Sequence, residues 1–151
     1  MNAPAAAAAL AISEIADADV ADVVALWQRC GLTRPWNDPA SDIALARRHP
    51  NSTVLVGRAD GAVAASAMVG HDGHRGWVYY VAVDPDRQKQ GFGRAIMAAA
   101  EQWLRQAGMA KMQLMVRPDN NKVQAFYESL DYEEQERIIY AKWLDGRAPT
   151  P

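Results

Sequence analysis

The stretch Val83 to Met97, VDPDRQKQGFGRAIM, sets a proline, two glycines one residue apart and three basic residues between two apolar segments. Upstream lies WVYYVAV, Trp77 to Val83, the most apolar strand-like run in the chain. Downstream, Phe92, Ala95, Ile96, Ala99 and Trp103 recur at helical spacing, and Gly108 ends that helix. A strand, a glycine-rich turn and a helix in this order aim several unpaired backbone N–H groups at one point, at the positive end of a helix dipole. Glycine at 91 and 93 removes side chains that would hold an anion away from those groups. Arg87, Lys89 and Arg94 add three cations, with no carboxylate between 87 and 94. The ligand expected here is a phosphate or pyrophosphate.

Spacing narrows the phosphate ligand. A dinucleotide fingerprint, G-x-G-x-x-G, needs a third glycine where this chain has Ile96. The G-K-[ST] of a nucleotide P-loop is absent. A bare G-x-G is also compatible with an ordinary helix start, so the turn needs a second signal.

Working outward from it, Ala9 to Ile15 reads as a short first strand. Asp17 or Asp19 can cap a helix in which Val20, Val23, Val24, Trp27 and Cys30 share a face, and Gly31 stops it. LTRPWNDP is a loop, and Asp42 to Arg48 a second, short helix. STVLVGR and AVAASAMVG flank the turn ADG as a hairpin, followed by the polar loop HDGHRG and the strand WVYYVAV. Past the glycine turn and its helix come a strand KMQLMV, a helix with the stripe Val123, Phe126, Tyr127 and Leu130, and a last strand ERIIYAKWL. The predicted fold class is α/β: a mixed sheet with helices on both faces.

Composition sets outer bounds. Of 151 residues, 50% are hydrophobic and the formal net charge is -2, which suits one globular domain and argues against bulk nucleic-acid binding. Cys30 is the single cysteine, so no intrachain disulfide can form and a cytoplasmic setting is expected. No apolar run approaches the ~20 residues of a membrane span. The alanine-rich start, residues 1–9, lacks the features of a signal peptide and reads as a low-complexity extension; residues 145–151 read as a polar tail. No metal site is expected, since His71 and His74 supply only two ligands and His49 stands far along the chain.

The second signal is DNNKVQAFYESLDY, Asp119 to Tyr132. Together with Val83-Asp84-Pro85 and Gln88-x-x-Gly91-x-Gly93, it resembles the GNAT superfamily of acetyl-CoA-dependent N-acetyltransferases. Those proteins share a strand ending V-x-P, then [RQ]-x-x-G-x-[GA] opening a helix, and later an Asn seven residues before a Tyr. The resemblance spans residues 10 to 144, and RPWNDP and GHDGHRG further resemble the small bacterial YpeA-type subgroup. Asp131 departs from the family, which usually has glycine there; Asp tolerates a left-handed conformation better than most residues, so a preserved turn is expected.

The resemblance implies a GNAT-like sheet with splayed fourth and fifth strands, acetyl-CoA as cosubstrate, and direct transfer to a primary amine, of a small molecule or a protein, in a ternary complex. It implies that the backbone of Gln88, Lys89, Gln90, Gly91, Phe92, Gly93 and Arg94 holds the coenzyme pyrophosphate, and that Val81, Ala82 and Val83 pair with the pantetheine arm. Asn120, or Asn121 beside it, corresponds to an Asn that contacts the coenzyme; the same residue can simply cap the helix that follows. Tyr127 corresponds to the Tyr that protonates the departing thiolate, although its place on an apolar stripe equally suits a core role. Many relatives carry a general base as a carboxylate on the fourth strand, where this chain offers Trp77, Tyr79 and Tyr80. His71, Asp72, His74 and Asp38 are the nearby candidates, and the three in the loop are equally turn formers. Trp36 and Asp38 stand where the family builds its acceptor pocket. Cys30, on an apolar helix face, is not expected to carry an acyl group. A non-catalytic acetyl-CoA-binding module and a homodimeric state both stay open.

Overall fold

The computed structural model of the protein describes residues 9–150. The alanine-rich extension lies outside them except for its last residue. The chain divides into two compact units, one running to Met115 and the other from Val116.

In the first unit the elements run β1 (Ala11–Glu14), α1 (Val20–Arg29), α2 (Pro39–Arg47), β2 (Ser52–Ala59), β3 (Ala62–His71), β4 (Gly76–Val83), α3 (Phe92–Gln106) and β5 (Met112–Gln113). The five strands form one sheet in sequence order, antiparallel from β1 to β4, with β5 parallel to β4. Asp60 and Gly61, both left-handed (φ 52° and 77°), make the two-residue turn between β2 and β3 that the sequence ADG predicts.

Burial explains the layers. Val23, Leu26 and Trp27 of α1 and Ile43 and Ala46 of α2 form one core with Ile15, Val54, Val56 and Ala82. Helix α3 packs on β2, β3 and β4 through Phe92, Ile96, Met97, Ala100 and Leu104. This stripe is rotated from the predicted one: Ala95, Ala99 and Trp103 lie at its margin, half-buried. Trp103 instead donates its indole N–H to Glu14 Oε1 at 3.0 Å, which tethers α3 to β1.

The second unit contains α4 (Asn121–Glu128), whose stripe Val123, Phe126, Tyr127 and Leu130 is half-buried as the periodicity predicts. Asp131 follows it at φ 68°, the left-handed turn expected of a residue standing in for glycine. Two strand expectations need correction. KMQLMV narrows to the two residues of β5, and ERIIYAKWL forms no strand among the described residues. Ile138, Tyr140 and Leu144 are 83%, 92% and 92% exposed. Apolar content alone makes a segment strand-like, but a strand exists only where a neighbour offers its N–H and C=O groups. Among the described residues the second unit contains no strand to pair with this one. Among the described residues no helix is long and apolar enough to cross a membrane.

Candidate functional site

The glycine turn is built from unusual backbone. Pro85–Arg87 forms a 3-10 turn capped by Asp84, whose carboxylate accepts from the Asp86 N–H at 3.0 Å. Gln88 is extended, and then Lys89 (φ 62°) and Gly91 (φ 78°) are both left-handed, one residue apart. Such alternation turns successive N–H groups toward a common concave side, where they can bind an anion. Gly91 caps the 15-residue α3, whose first turn carries no acidic residue. A side chain at Gly91 would enter open space, with no atom within 4 Å of a built Cβ, so the glycine is required by its φ and not by crowding. Gln88, Lys89, Gln90, Gly91 and Arg94 are exposed, whereas Phe92 is buried and anchors the helix start. Of the three cations, Arg87 is tied to Asp60 at 3.1 Å. This arrangement fits a phosphate-bearing ligand.

Strand β4 supplies the second part of the site. Pairing with β3 is interrupted between Met68↔Tyr79 and Ser66↔Ala82, so Tyr80 and Val81 together oppose Ala67 in a β-bulge. Tyr80 is left-handed there, at φ 51°. The bulge reverses which residues face which neighbour. Before it, the N–H of even-numbered Gly76 points to the β5 side and donates to the Lys111 C=O at 2.8 Å. After it, the N–H of Asp84 points to β3 and donates to the Ala64 C=O at 2.8 Å. By the two-residue repeat of a strand, the backbone of Val81 and Val83 then faces away from β3, on the β5 side. Strand β5, however, pairs only with Gly76 and Trp77. The two strands therefore diverge beside Val81 and Val83, as the splayed pair expected from sequence. The Val83 C=O accepts from the Cys30 thiol at 3.3 Å, and burial pushes that thiol's pKa up. Arg29 pairs with Asp84 at 3.2 Å, so the end of α1 is bolted to the start of the glycine turn.

Tyr80 is held at three points. Its ring stacks on the fully buried Trp27, centroids 3.8 Å apart and 3° from parallel. Its hydroxyl donates to Asp42 Oδ2 at 2.7 Å. Its C=O accepts from Ser66 Oγ at 3.4 Å, and Ser66 in turn accepts from the Trp27 indole N–H at 2.8 Å. Desolvation, reinforced by the bond to Asp42, pushes the Tyr80 pKa well above the usual phenol range. Sequence reading missed this group, because α1, α2, β3 and β4 each contribute one member.

The loop candidates for a base behave as turn formers. Asp72 Oδ1 accepts from the N–H groups of His74 (2.9 Å) and Arg75 (2.7 Å), and Oδ2 from the Trp77 indole at 3.4 Å. The two backbone bonds hold its carboxyl below the usual carboxylate range. His71 Nδ1 accepts from the Gly73 N–H at 3.2 Å. Asp38 stands at the N-cap of α2 and accepts from the Ser41 hydroxyl.

In the second unit, Asn120, and not Asn121, caps α4: its Oδ1 accepts from the Val123 N–H at 3.2 Å. Tyr127 packs edge-on against Phe126 and Tyr132, with centroids 5.0 and 5.9 Å away. Burial pushes its pKa up to about 12.

Comparison with known proteins agrees with this architecture. The chain is 44% identical over 126 residues to the acetyltransferase YE1169 of Yersinia enterocolitica, covering 83% of this chain and 89% of that one. It is 42% identical over 126 residues to the acetyltransferase ECA0875 of Pectobacterium atrosepticum, with the same coverage. Among solved structures, the ribosomal-protein-S18-alanine N-acetyltransferase of Escherichia coli superposes with a TM-score of 0.72 at 28% identity, covering 92% of this chain and 88% of that one. The aminoglycoside acetyltransferase AAC(6')-Iy in complex with a bisubstrate analogue shares the fold, with a TM-score of 0.78 at 18% identity and coverage of 89% and 98%. The model of the acetyltransferase (GNAT) family matches residues 19–132. The chain belongs to that family.

Proposed function

We propose that the protein moves an acetyl group from acetyl-CoA to a primary amine by direct transfer in a ternary complex. The observation that carries this reading is the continuity of the diverging edge of β4 with the left-handed turn at Lys89 and Gly91. An extended arm ending in phosphates needs both features in that order. The backbone of Val81, Ala82 and Val83 pairs with the pantetheine arm, with the Val83 C=O shared with the Cys30 thiol. The N–H groups from Gln88 to Arg94 hold the pyrophosphate, and Lys89 and Arg94 add positive charge beside it. Asn120 contacts the coenzyme while capping α4.

Tyr127 serves the leaving sulfur. With its pKa near 12, the hydroxyl stays protonated throughout the neutral range and can always donate. Tyr127 stands at the family position of the Tyr that protonates the departing thiolate: the hydroxyl gives its proton to sulfur as the tetrahedral intermediate collapses, and solvent returns a proton to the phenolate.

The test has two stages. Calorimetry with acetyl-CoA asks whether the cradle binds, and no binding sinks the proposal. An amine panel, followed by release of free thiol, then asks whether transfer occurs. The panel spans protein amines, polyamines and small-molecule amines, and includes a protein alanine because the Escherichia coli relative is a ribosomal-protein-S18-alanine N-acetyltransferase. Binding without turnover on any amine would favour a non-catalytic acetyl-CoA-binding module.

A further inference from the structure

We infer that Asp42 is a positioning residue: through the Tyr80 hydroxyl it holds the β4 bulge in the one register that turns the backbone of Val81 and Val83 toward the diverging edge. The inference rests on the pantetheine reading of that edge given above. A non-glycine residue at φ 51° is a sparsely populated conformation that persists only when its surroundings over-determine it. The surroundings here do so from three sides. Trp27 stacks beneath the ring, Ser66 binds the carbonyl, and Asp42 binds the hydroxyl.

The contacts divide into fixed and removable ones. Trp27 and Ser66 are fully buried and joined to each other, so they belong to the core irrespective of function. Asp42 is different. It sits half-buried near the start of α2, and its carboxylate reaches β4 only through the Tyr80 hydroxyl. A charged acceptor makes this bond stronger than a neutral one. Arg34 and Asp38 are the other charged groups whose fields reach Tyr80.

The bulge has a defined consequence. Before it, even-numbered side chains face α3, as Gly76 does beneath Leu104. After it they face α1, as Tyr80 and Ala82 do. Releasing Tyr80 allows the strand to regularise, and a one-residue change of register exchanges the two edges for every residue that follows. Val81 and Val83 would then turn their polar groups toward β3. The pantetheine arm would lose its partner, whereas the glycine turn would keep its phosphates.

The experiment compares coenzyme A with adenosine 3′-phosphate 5′-diphosphate, which keeps the whole pyrophosphate and lacks the arm, by calorimetry on the full chain. Tyr80→Phe keeps the stack on Trp27, and Asp42→Ala keeps Tyr80. Each should cut the preference for coenzyme A over the fragment by about 5- to 30-fold, with fragment affinity unchanged. Asp42→Asn, which still accepts a hydrogen bond, should restore most of the preference. The double variant should be no worse than either single one, because the two groups act as one unit. Folded variants that keep the full preference overturn the inference. So does an equal loss for both ligands, which is the mark of a merely structural role. A wild-type chain that binds neither ligand overturns the coenzyme reading itself, and this inference with it.

Discussion

The Trp27 indole N–H donates to Ser66 Oγ across 2.8 Å, joining α1 to β3 inside the core, while the face of the same ring carries Tyr80. Trp27→Phe should leave the helix in place but remove ring volume and the indole donor to Ser66, leaving that buried hydroxyl only its longer bond to the Tyr80 C=O. The expected loss is about 1–3 kcal/mol. In a chain of this size that lowers Tm by roughly 2–4 °C per kcal/mol. A melting curve within 1 °C of wild type would show that the core repacks around the loss.

Gly91 needs its left-handed φ, yet the space beside it is open. Gly91→Ala should therefore cost about 1 kcal/mol through backbone strain alone, with no clash to relieve. Gly91→Glu carries the same strain and adds a carboxylate beside the phosphate-binding N–H groups, so acetyl-CoA binding should disappear from a folded protein. Calorimetry and thermal melts on both variants separate strain from charge. Equal affinity in wild type and Gly91→Glu would refute the cradle.

Tyr127→Phe keeps the ring contacts with Phe126 and Tyr132 and removes the hydroxyl. If that hydroxyl assists the leaving thiolate, kcat should fall about 10- to 10⁴-fold with little change in acetyl-CoA affinity. The raised pKa also has a pH signature. The folded state retains the phenol proton up to about pH 12, while the unfolded chain releases it near pH 10. Stability is thus unaffected below pH 10 and declines as pH rises from 10 to 12. Tyr127→Phe should lack this part of the alkaline decline, as pH-dependent denaturant melts would show. The same pKa predicts no loss of kcat from Tyr127 ionisation below about pH 11.

Asp72 spends Oδ1 on the backbone of its own loop and Oδ2 on the Trp77 indole of β4. Asp72→Asn can still accept the two backbone bonds, so kcat and its pH profile should match wild type. Asp72→Ala should lower Tm by opening the turn between β3 and β4. A fall in kcat in Asp72→Asn, with the melting curve unchanged, would return Asp72 to a role in proton transfer.

Local features of the fold were legible in the residues alone. Asp60-Gly61 announces its hairpin because few residue pairs accept two left-handed positions in a row. Gly91 with Gly93 announces a helix start, and Asn120 announces a cap. Asp131 announces a left-handed turn even without glycine. Each of these depends on the dihedral preference or hydrogen bonding of neighbours within a few positions, which sequence states directly.

What tertiary structure alone decided lies between elements distant in the chain. ERIIYAKWL has the composition of a strand, yet strand formation depends on a neighbour that composition does not reveal. The buried stripe of α3 runs through Ala100 and Leu104, not Ala99 and Trp103, because Trp103 reaches across to Glu14, 89 positions away. The bulge at Tyr80 has no marker in WVYYVAV. It exists because Trp27, Asp42 and Ser66, brought from three other elements, together hold a tyrosine in a conformation that its own backbone disfavours.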